Sequence, residues 1–435
     1  MEKLVFAKER SDRSFKILNA TNGGPWYKRH ADDQFRSNLE DYKAARIPYS
    51  RNHDSASCST YGGPYSHDIS NIFPDFDADP DDPASYDFAC TDEELLKGLE
   101  AGTKTFFRLG QTIEHQIVKH HVFPPKDYEK WASVCEHIIR HYNEGWADGL
   151  RLNVKYWEIW NEPDLDDLQE YKRTWTGTRE EFFDFFEIAA KHLKARFPQL
   201  MIGGPALAGN KEWAENFLSE MQKRNVPLDF FSWHVYSKDV GKLLDKTEFF
   251  RDLMDKYGYA SAESILNEWN YVRGWEEDFV YSIEAIHGAK GAAFTAACIC
   301  GAQDRPVDML MYYDTRPSVF NGVFDFYTYR KLKGYYPLYW YGRFYDAAGQ
   351  VPTVTRPENV WGICGEKADG KRIAMFSYFM EDDGADGIEL SVDMGKPGRF
   401  EVFITDPDRD GESIGEFSEI KLALKPDSVA FIKEI

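Results

Sequence analysis

The chain has 435 residues, 43% of them hydrophobic, which suits one large domain with a sizeable core and a smaller companion. Its formal net charge of −21 argues against nucleic acid and against anionic membrane surfaces, both of which need basic patches. The aromatic share of 16% fits either a large core or a cleft lined with flat rings, against which the C–H faces of sugars stack.

The first residues, MEKLVFAKERSD, contain no apolar h-region, so no signal peptide is read. The expected location is cytoplasmic, or exported if a leader was removed. No stretch approaches the length of a membrane span. EKLVFA reads as a strand, and residues 1–15 are set apart as a segment that could join a later sheet. Eight short apolar runs then recur, each ending in polar residues: 16–23, 47–54, 104–110, 155–163, 201–209, 230–237, 264–270 and 308–315. Helix-period segments lie between most of them, among them 35–46, 127–145, 179–197 and 280–300. Continuous apolar strands alternating with helices predict a parallel sheet covered by helices. Eight repeats predict an α/β fold of the closed (β/α)8 kind, a TIM barrel, over 16–344. An open doubly wound sheet is the alternative, but ATNGGPW lacks the G-x-G-x-x-G spacing after the first strand. From 345 to 435 the texture changes to strand-like runs broken by Gly, Pro and Asp (372–380, 387–394, 398–406, 419–426 and 428–435), which predicts a C-terminal β-sandwich.

Active sites of such barrels lie at the C-terminal ends of the strands. Glu162 follows the fourth run and Glu268 ends the seventh, each preceded by Asn and set among Trp. Two carboxylates facing one cleft suit glycosidic bond cleavage, in which one must be protonated and the other ionised. Pro163 stops the strand from continuing as a regular ladder.

No metal or other cofactor is required by that chemistry. Two acidic stretches imitate calcium loops. In the first, Asp75, Asp77 and Asp79 are followed by Pro80 where a glycine is needed. In the second, Asp406, Asp408, Asp410 and Gly411 sit between strands and end on Phe417, which favours an acidic hairpin. EHQIVKHH (114–121) reads as a solvated loop before it reads as a metal site. The six cysteines form no Cys-x-x-Cys pair; Cys298 and Cys300 lie in an apolar run, and a Cys58–Cys90 bridge stays open.

The motifs W-E-I-W-N-E-P at 157–163 and N-E-W-N at 267–270 resemble the clan A retaining glycoside hydrolases, and within that clan the chain is similar to glycoside hydrolase family 39, which holds β-xylosidases and α-L-iduronidases. Arg51-x-His53, Trp233–Tyr236 and FNGVFDF (320–326) agree with that family. The resemblance implies a retaining exo-glycosidase, β-xylosidase-like, with an oligosaccharide or glycoside as substrate and the oligomeric state open. A related hydrolase of α-L or endo specificity and an inactive sugar-binding barrel are the alternatives. It implies Glu162 as acid/base, Glu268 as nucleophile, and carboxyl groups roughly 5–5.5 Å apart. Asn161 would donate to the sugar 2-hydroxyl, or serve as a turn residue. His234 and Tyr236 would hold the nucleophile, His234 being otherwise a core histidine. Arg51 would pair with Glu268, in the site or as a structural bridge, and His53 would reach a sugar hydroxyl. Trp269 and Tyr313 would form a ring platform unless they are core. Residues 54–88 replace a short acidic turn of the better-known xylosidases. They are expected to wall the cleft as a rim loop that buries little of the core, with Tyr61, Tyr65, His67 and Asp68 near substrate and Gly62 and Gly63 allowing a tight fold.

Overall fold

The computed structural model describes residues 1–27, 36–54, 65–316 and 318–435. Cys58, Tyr61, Gly62 and Gly63 lie outside them. In chain order the elements are β1 (Glu2–Phe6), β2 (Ile17–Asn22), α1 (Leu39–Ala45), β3 (Tyr49–Arg51), α2 (Ile69–Ile72), α3 (Ala89–Glu100), β4 (Lys104–Leu109), α4 (Tyr128–Asn143), β5 (Tyr156–Ile159) and α5 (Arg179–Arg196). There follow β6 (Met201–Leu207), α6 (Lys211–Lys223), β7 (Phe230–Ser237), α7 (Val240–Lys256), β8 (Glu263–Tyr271), α8 (Phe279–His287), α9 (Ala289–Ala302) and β9 (Met309–Tyr312).

Strands β2 to β9 close into a barrel, with β9 pairing back to β2 in parallel. All eight apolar runs are barrel strands. Helices α4 to α7 each start where a side chain caps them. Asp127, Asn210 and Asp239 accept from backbone N–H groups at the starts of α4, α6 and α7, and Thr178 forms a capping box with Glu181 on α5. Each cap is worth about 1 kcal/mol and fixes where a βα loop ends. The single helical segment expected over 280–300 is two helices. Gly288, extended at φ −103° and ψ −167°, separates α8 from α9.

Residues two apart on a strand point to the same side. The barrel therefore fills in layers. Ala20, Tyr49, Phe106, Tyr156, Phe230, Ile265, Met309 and Met311 make an apolar floor. Two residues further along these strands stand Asn22, Arg51, Arg108, Glu158, Ser232 and Asn267, all buried. An ionic and hydrogen-bonded layer thus lies directly beneath the mouth.

The chain continues through α10 (Tyr335–Tyr341), β10 (Ala347–Val351), β11 (Thr353–Thr355), β12 (Val360–Lys367), β13 (Arg372–Tyr378), β14 (Ile388–Asp393), β15 (Phe400–Asp406), β16 (Arg409–Phe417), β17 (Ile420–Leu424) and β18 (Ser428–Glu434). They form a four-stranded sheet in the order β11-β1-β14-β17 and a six-stranded sheet in the order β10-β12-β13-β18-β15-β16. Leu4, Phe6, Leu390, Val392 and Leu422 of the first pack with Phe376, Val402, Ile404 and Ile432 of the second, making a sandwich. The N-terminal segment does join it, as β1 parallel to β14. The 406–411 acidic stretch is the β15–β16 hairpin, in which Asp406 accepts from the N–H groups of Asp408 and Arg409. Asp75 and Asp79 likewise accept from N–H groups two residues on, as turn residues do.

Candidate active site

The end of β5 is bent by its backbone. Trp160 and Glu162 take left-handed conformations, at φ 73° and 48°. Each costs about 1–3 kcal/mol for a residue with a side chain and persists only where the surroundings fix it. Here the Trp160 N–H donates to Leu109 O at 2.7 Å and the Glu162 N–H to Ala206 O at 2.9 Å, while the Trp160 indole donates to Thr174 O. The bend presents Asn161 and Glu162 to the mouth in succession.

A different device acts on β8. Trp233 pairs with Leu266, but His234 pairs with Glu268, so Asn267 is an extra residue in the ladder. Bulges of this kind re-aim side chains at barrel rims. Asn267 faces inward, donating to Glu158 at 2.5 Å, and Glu268 next to it lines the cavity. Trp269 is thereby turned outward. It is fully buried among core residues, edge-on to Tyr312 and near Phe294, and forms no platform for a sugar. Strand β7 keeps its alternation across the pair, and Ser232, His234 and Tyr236 all reach the interior polar groups.

Arg51 ties the site together from below. Its Nε donates to Glu158 at 2.7 Å, Nη1 to Asn22 at 3.1 Å and to Glu268 at 3.3 Å, and Nη2 to the Asn161 Oδ1 at 2.7 Å. Glu158 in turn accepts from Ser232 at 2.6 Å. Glu268 receives a second donor, the Tyr236 hydroxyl, at 2.6 Å. His234 Nδ1 stands 2.7 Å from Glu162 and 3.7 Å from Glu268, so it partners Glu162 rather than the residue it was expected to hold. Burial pushes Glu162 up to about 7, opposed by Arg51 and reinforced by Asp54. Burial also pushes Glu268 up to about 7, opposed by His234, Arg51 and the Tyr236 hydroxyl and reinforced by Glu162. Burial lowers His234 to about 4, so its ring is neutral. Among the described residues, Glu162, His234 and Glu268 are the group of potential metal ligands whose atoms converge, within 4.8 Å of one another. Arg51 already supplies the positive charge beside them.

Above these groups opens a cavity of about 630 Å3 lined by Asp54, Glu162, Arg173, Tyr236, Lys246, Glu268, Trp275, Tyr313 and Phe320, with Ile113, His115, Leu165 and Ala208. Tyr313 lies in the wall, donating to Asp54 at 3.1 Å and edge-on to Tyr236 and Phe320. His53 is not in the wall. It is buried behind Asp54, with Nε2 at 3.4 Å from that carboxylate, and burial with Arg51 and Arg108 nearby lowers its pKa well below the usual value. His67 and Asp68 are not in the wall either: His67 packs edge-on to Phe107, and Asp68 holds Arg108 at 2.8 Å and the Thr112 N–H at 2.9 Å. Glu114 accepts from the N–H groups of His120 and His121, folding that stretch on itself.

Sequence reasoning gave no individual role to Glu158, Asp54, Trp275, Phe320 or Lys246. Glu158 carried a signal, being a lone acid in a strand and two residues beyond an inward Tyr156. Trp275 and Phe320 lie in loops, and Lys246 on a helix, where strand-end position says nothing.

Residues 65–257 match the family model of glycosyl hydrolases family 39. That stretch holds Glu162, His234 and Tyr236 and stops before Glu268. Over 146 residues, 33% of this chain and 26% of the relative, the chain is 34% identical to a β-xylosidase of Geobacillus stearothermophilus. Over 148 residues, 34% of this chain and 27% of the relative, it is 34% identical to a β-xylosidase of Caldicellulosiruptor saccharolyticus. The aligned part thus spans about a quarter of each relative. A glucosidase structure from Croceicoccus marinus superposes with a TM-score of 0.79 at 23% identity, covering 100% of this chain and 98% of the other, and shares the fold. Residues 65–257 thus carry a segment similar to glycosyl hydrolases family 39, set in a closed barrel with a sandwich beside it.

Proposed function

We propose that the chain is a retaining glycoside hydrolase that removes a terminal sugar, in the manner of a β-xylosidase. The observation that carries this reading is the pair of buried carboxylates at one barrel mouth, with an oxygen of Glu162 and one of Glu268 within 4.8 Å. Retaining enzymes hold their carboxyl groups roughly 5–5.5 Å apart, whereas inverting enzymes need about 6.5–9.5 Å to seat a water between them. The roles follow from the partners. Glu268 accepts from a guanidinium and a hydroxyl, both of which favour its ionised form. Burial raises both carboxyls to about 7, and Glu162, whose side-chain partner is the neutral His234 ring, is the one left to hold the proton.

In the first step a Glu268 oxygen attacks the anomeric carbon, the bond to the leaving oxygen breaks, and the Glu162 proton passes to that oxygen. In the second, Glu162 takes a proton from water, the water oxygen bonds to the anomeric carbon, and Glu268 leaves as carboxylate. Asn161 has its oxygen fixed by Arg51 and an Nδ2 without a partner, suited to donate to a sugar hydroxyl as charge develops. The two relatives named β-xylosidase make a β-xyloside the first substrate to try.

The test is a panel of 4-nitrophenyl glycosides, with the first-formed anomer followed by proton NMR. Turnover with retained configuration, lost in Glu268→Ala, is the expected result. An inverted first product, or turnover that survives in Glu268→Ala, overturns the mechanism. A wild-type protein that binds sugars and hydrolyses none of the panel is a binding barrel.

A further inference from the structure

Lys246, on α7, brings an ammonium to the wall of the cavity that holds Glu162 and Glu268. Its place is set by the backbone after β6. Nζ lies 3.1 Å from where a β-carbon on Gly209 would stand. Gly209 is the middle of a turn whose neighbours, Ala208 and Asn210, donate their N–H groups to Asp164 at 2.7 and 3.0 Å. Asp164 is two residues beyond Glu162. Lys246 therefore stands on the Glu162 side, while Trp275, Tyr313 and Phe320 gather around Tyr236, the partner of Glu268.

Other cations at this mouth are engaged within the protein. Arg173 makes two bonds to Asp166, at 2.6 and 2.8 Å. Arg316 is held by Asp314 at 2.5 Å and by Tyr313, and Arg51 by Glu158. Among the described residues, no carboxylate forms an ion pair with Lys246 and no hydrogen bond takes its Nζ. Its nearest charged company includes Lys211, whose ammonium sits over the Phe249 ring at 4.3 Å and adds like charge. Burial and Lys211 lower the Lys246 pKa, against the pull of Asp164. A half-buried ammonium that forms no ion pair among the described residues, with Asp164 acting on it from longer range, can still pair with an incoming anion.

We propose that Lys246 determines specificity by forming an anion subsite on the leaving-group side of Glu162, for a carboxylate or sulfate carried by the leaving group. The placement rests on the reading of Glu162 as proton donor, since the donor faces the leaving oxygen.

The binding test needs no turnover. The full-length protein is titrated calorimetrically with benzoate, phenyl sulfate and neutral benzamide. Benzoate or phenyl sulfate should bind about 10-fold tighter than benzamide or more, and whichever anion is preferred identifies the group. That preference should vanish in Lys246→Met and return in Lys246→Arg. Equal binding of all three by wild type, or a preference that persists in Lys246→Met, overturns the proposal. On hydrolysed sugars, the kcat/KM ratio of 3-carboxyphenyl to 3-carbamoylphenyl glycoside should fall by a similar factor in Lys246→Met. An unchanged ratio overturns the leaving-group placement. Lys246-dependent binding without hydrolysis of any glycoside would sink the hydrolase reading and leave the anion site standing, and hydrolysis without anion preference would do the reverse.

Discussion

Glu162 and Glu268 are equally buried, and in the proposed mechanism their different partners set their different roles. The Tyr236 hydroxyl donates to Glu268 and holds its pKa below where burial alone would put it. Tyr236→Phe removes that bond. A hydrogen bond to a charged group is worth about 1.5–3 kcal/mol, so kcat should fall about 10- to 100-fold. The acidic limb of the kcat/KM profile should move to higher pH, because Glu268 then ionises later. On the proposed roles the basic limb, set by loss of the Glu162 proton, should move less, and the bell should narrow. An acidic limb that stays in place would remove Tyr236 from this role. At this scale the sequence was informative wherever a residue closed a strand. Glu162, Glu268, Tyr236 and Arg51 all gather at one mouth. It was not informative about which of two neighbouring carboxylates His234 would meet, because strand-end position fixes the mouth and leaves rotamers open.

Alternation served well along β5 and β7 and failed on β8. The extra Asn267 changes which side Glu268 and Trp269 face, and nothing in ILNEWN announces an extra residue. The run at 54–88 misled in another way. Its polar residues suggested a rim, yet Ile69, Ile72 and Phe73 belong to the main core, and Asp68 neutralises Arg108, which is 1% exposed. Residues 65–88 are thus a built part of the barrel wall, and shortening them would cost stability as well as specificity. Asp68→Ala leaves a buried guanidinium without its partner, which costs about 3–5 kcal/mol. Urea denaturation should show a midpoint lowered accordingly at unchanged slope, with Asp68→Asn milder because it keeps an acceptor. A midpoint within error of wild type would mean that Arg108 finds water instead. The sandwich strands were legible where apolar residues alternated. β11, exposed along its length, and β12, with two glycines in VWGICGEK, were not.

Over the whole molecule, the boundary read between 344 and 345 separates strands by sequence and does not separate cores. Ile363, Ile373, Met375, Phe379, Val429 and Phe431 of the sandwich belong to the same buried cluster as the barrel helices. Helix α9 is buried almost throughout, with Ala293 O accepting from Ser377 at 2.7 Å, and Lys290 at its start donates to Met380 O at 2.6 Å. Tyr271 and Arg273, at and just beyond the end of β8, both bond Glu381. Calorimetry should therefore show one thermal transition for barrel and sandwich together, and two resolved transitions would mean that the shared cluster contributes little. The same feature restricts how such a chain can be rearranged over generations. A recombination point at 344 would hand the barrel to a foreign sheet lacking the hollows that α9 fills, and the offspring would inherit a helix with nowhere to dock. Barrel and sandwich must be inherited as a unit, with variation left to the loops around the mouth.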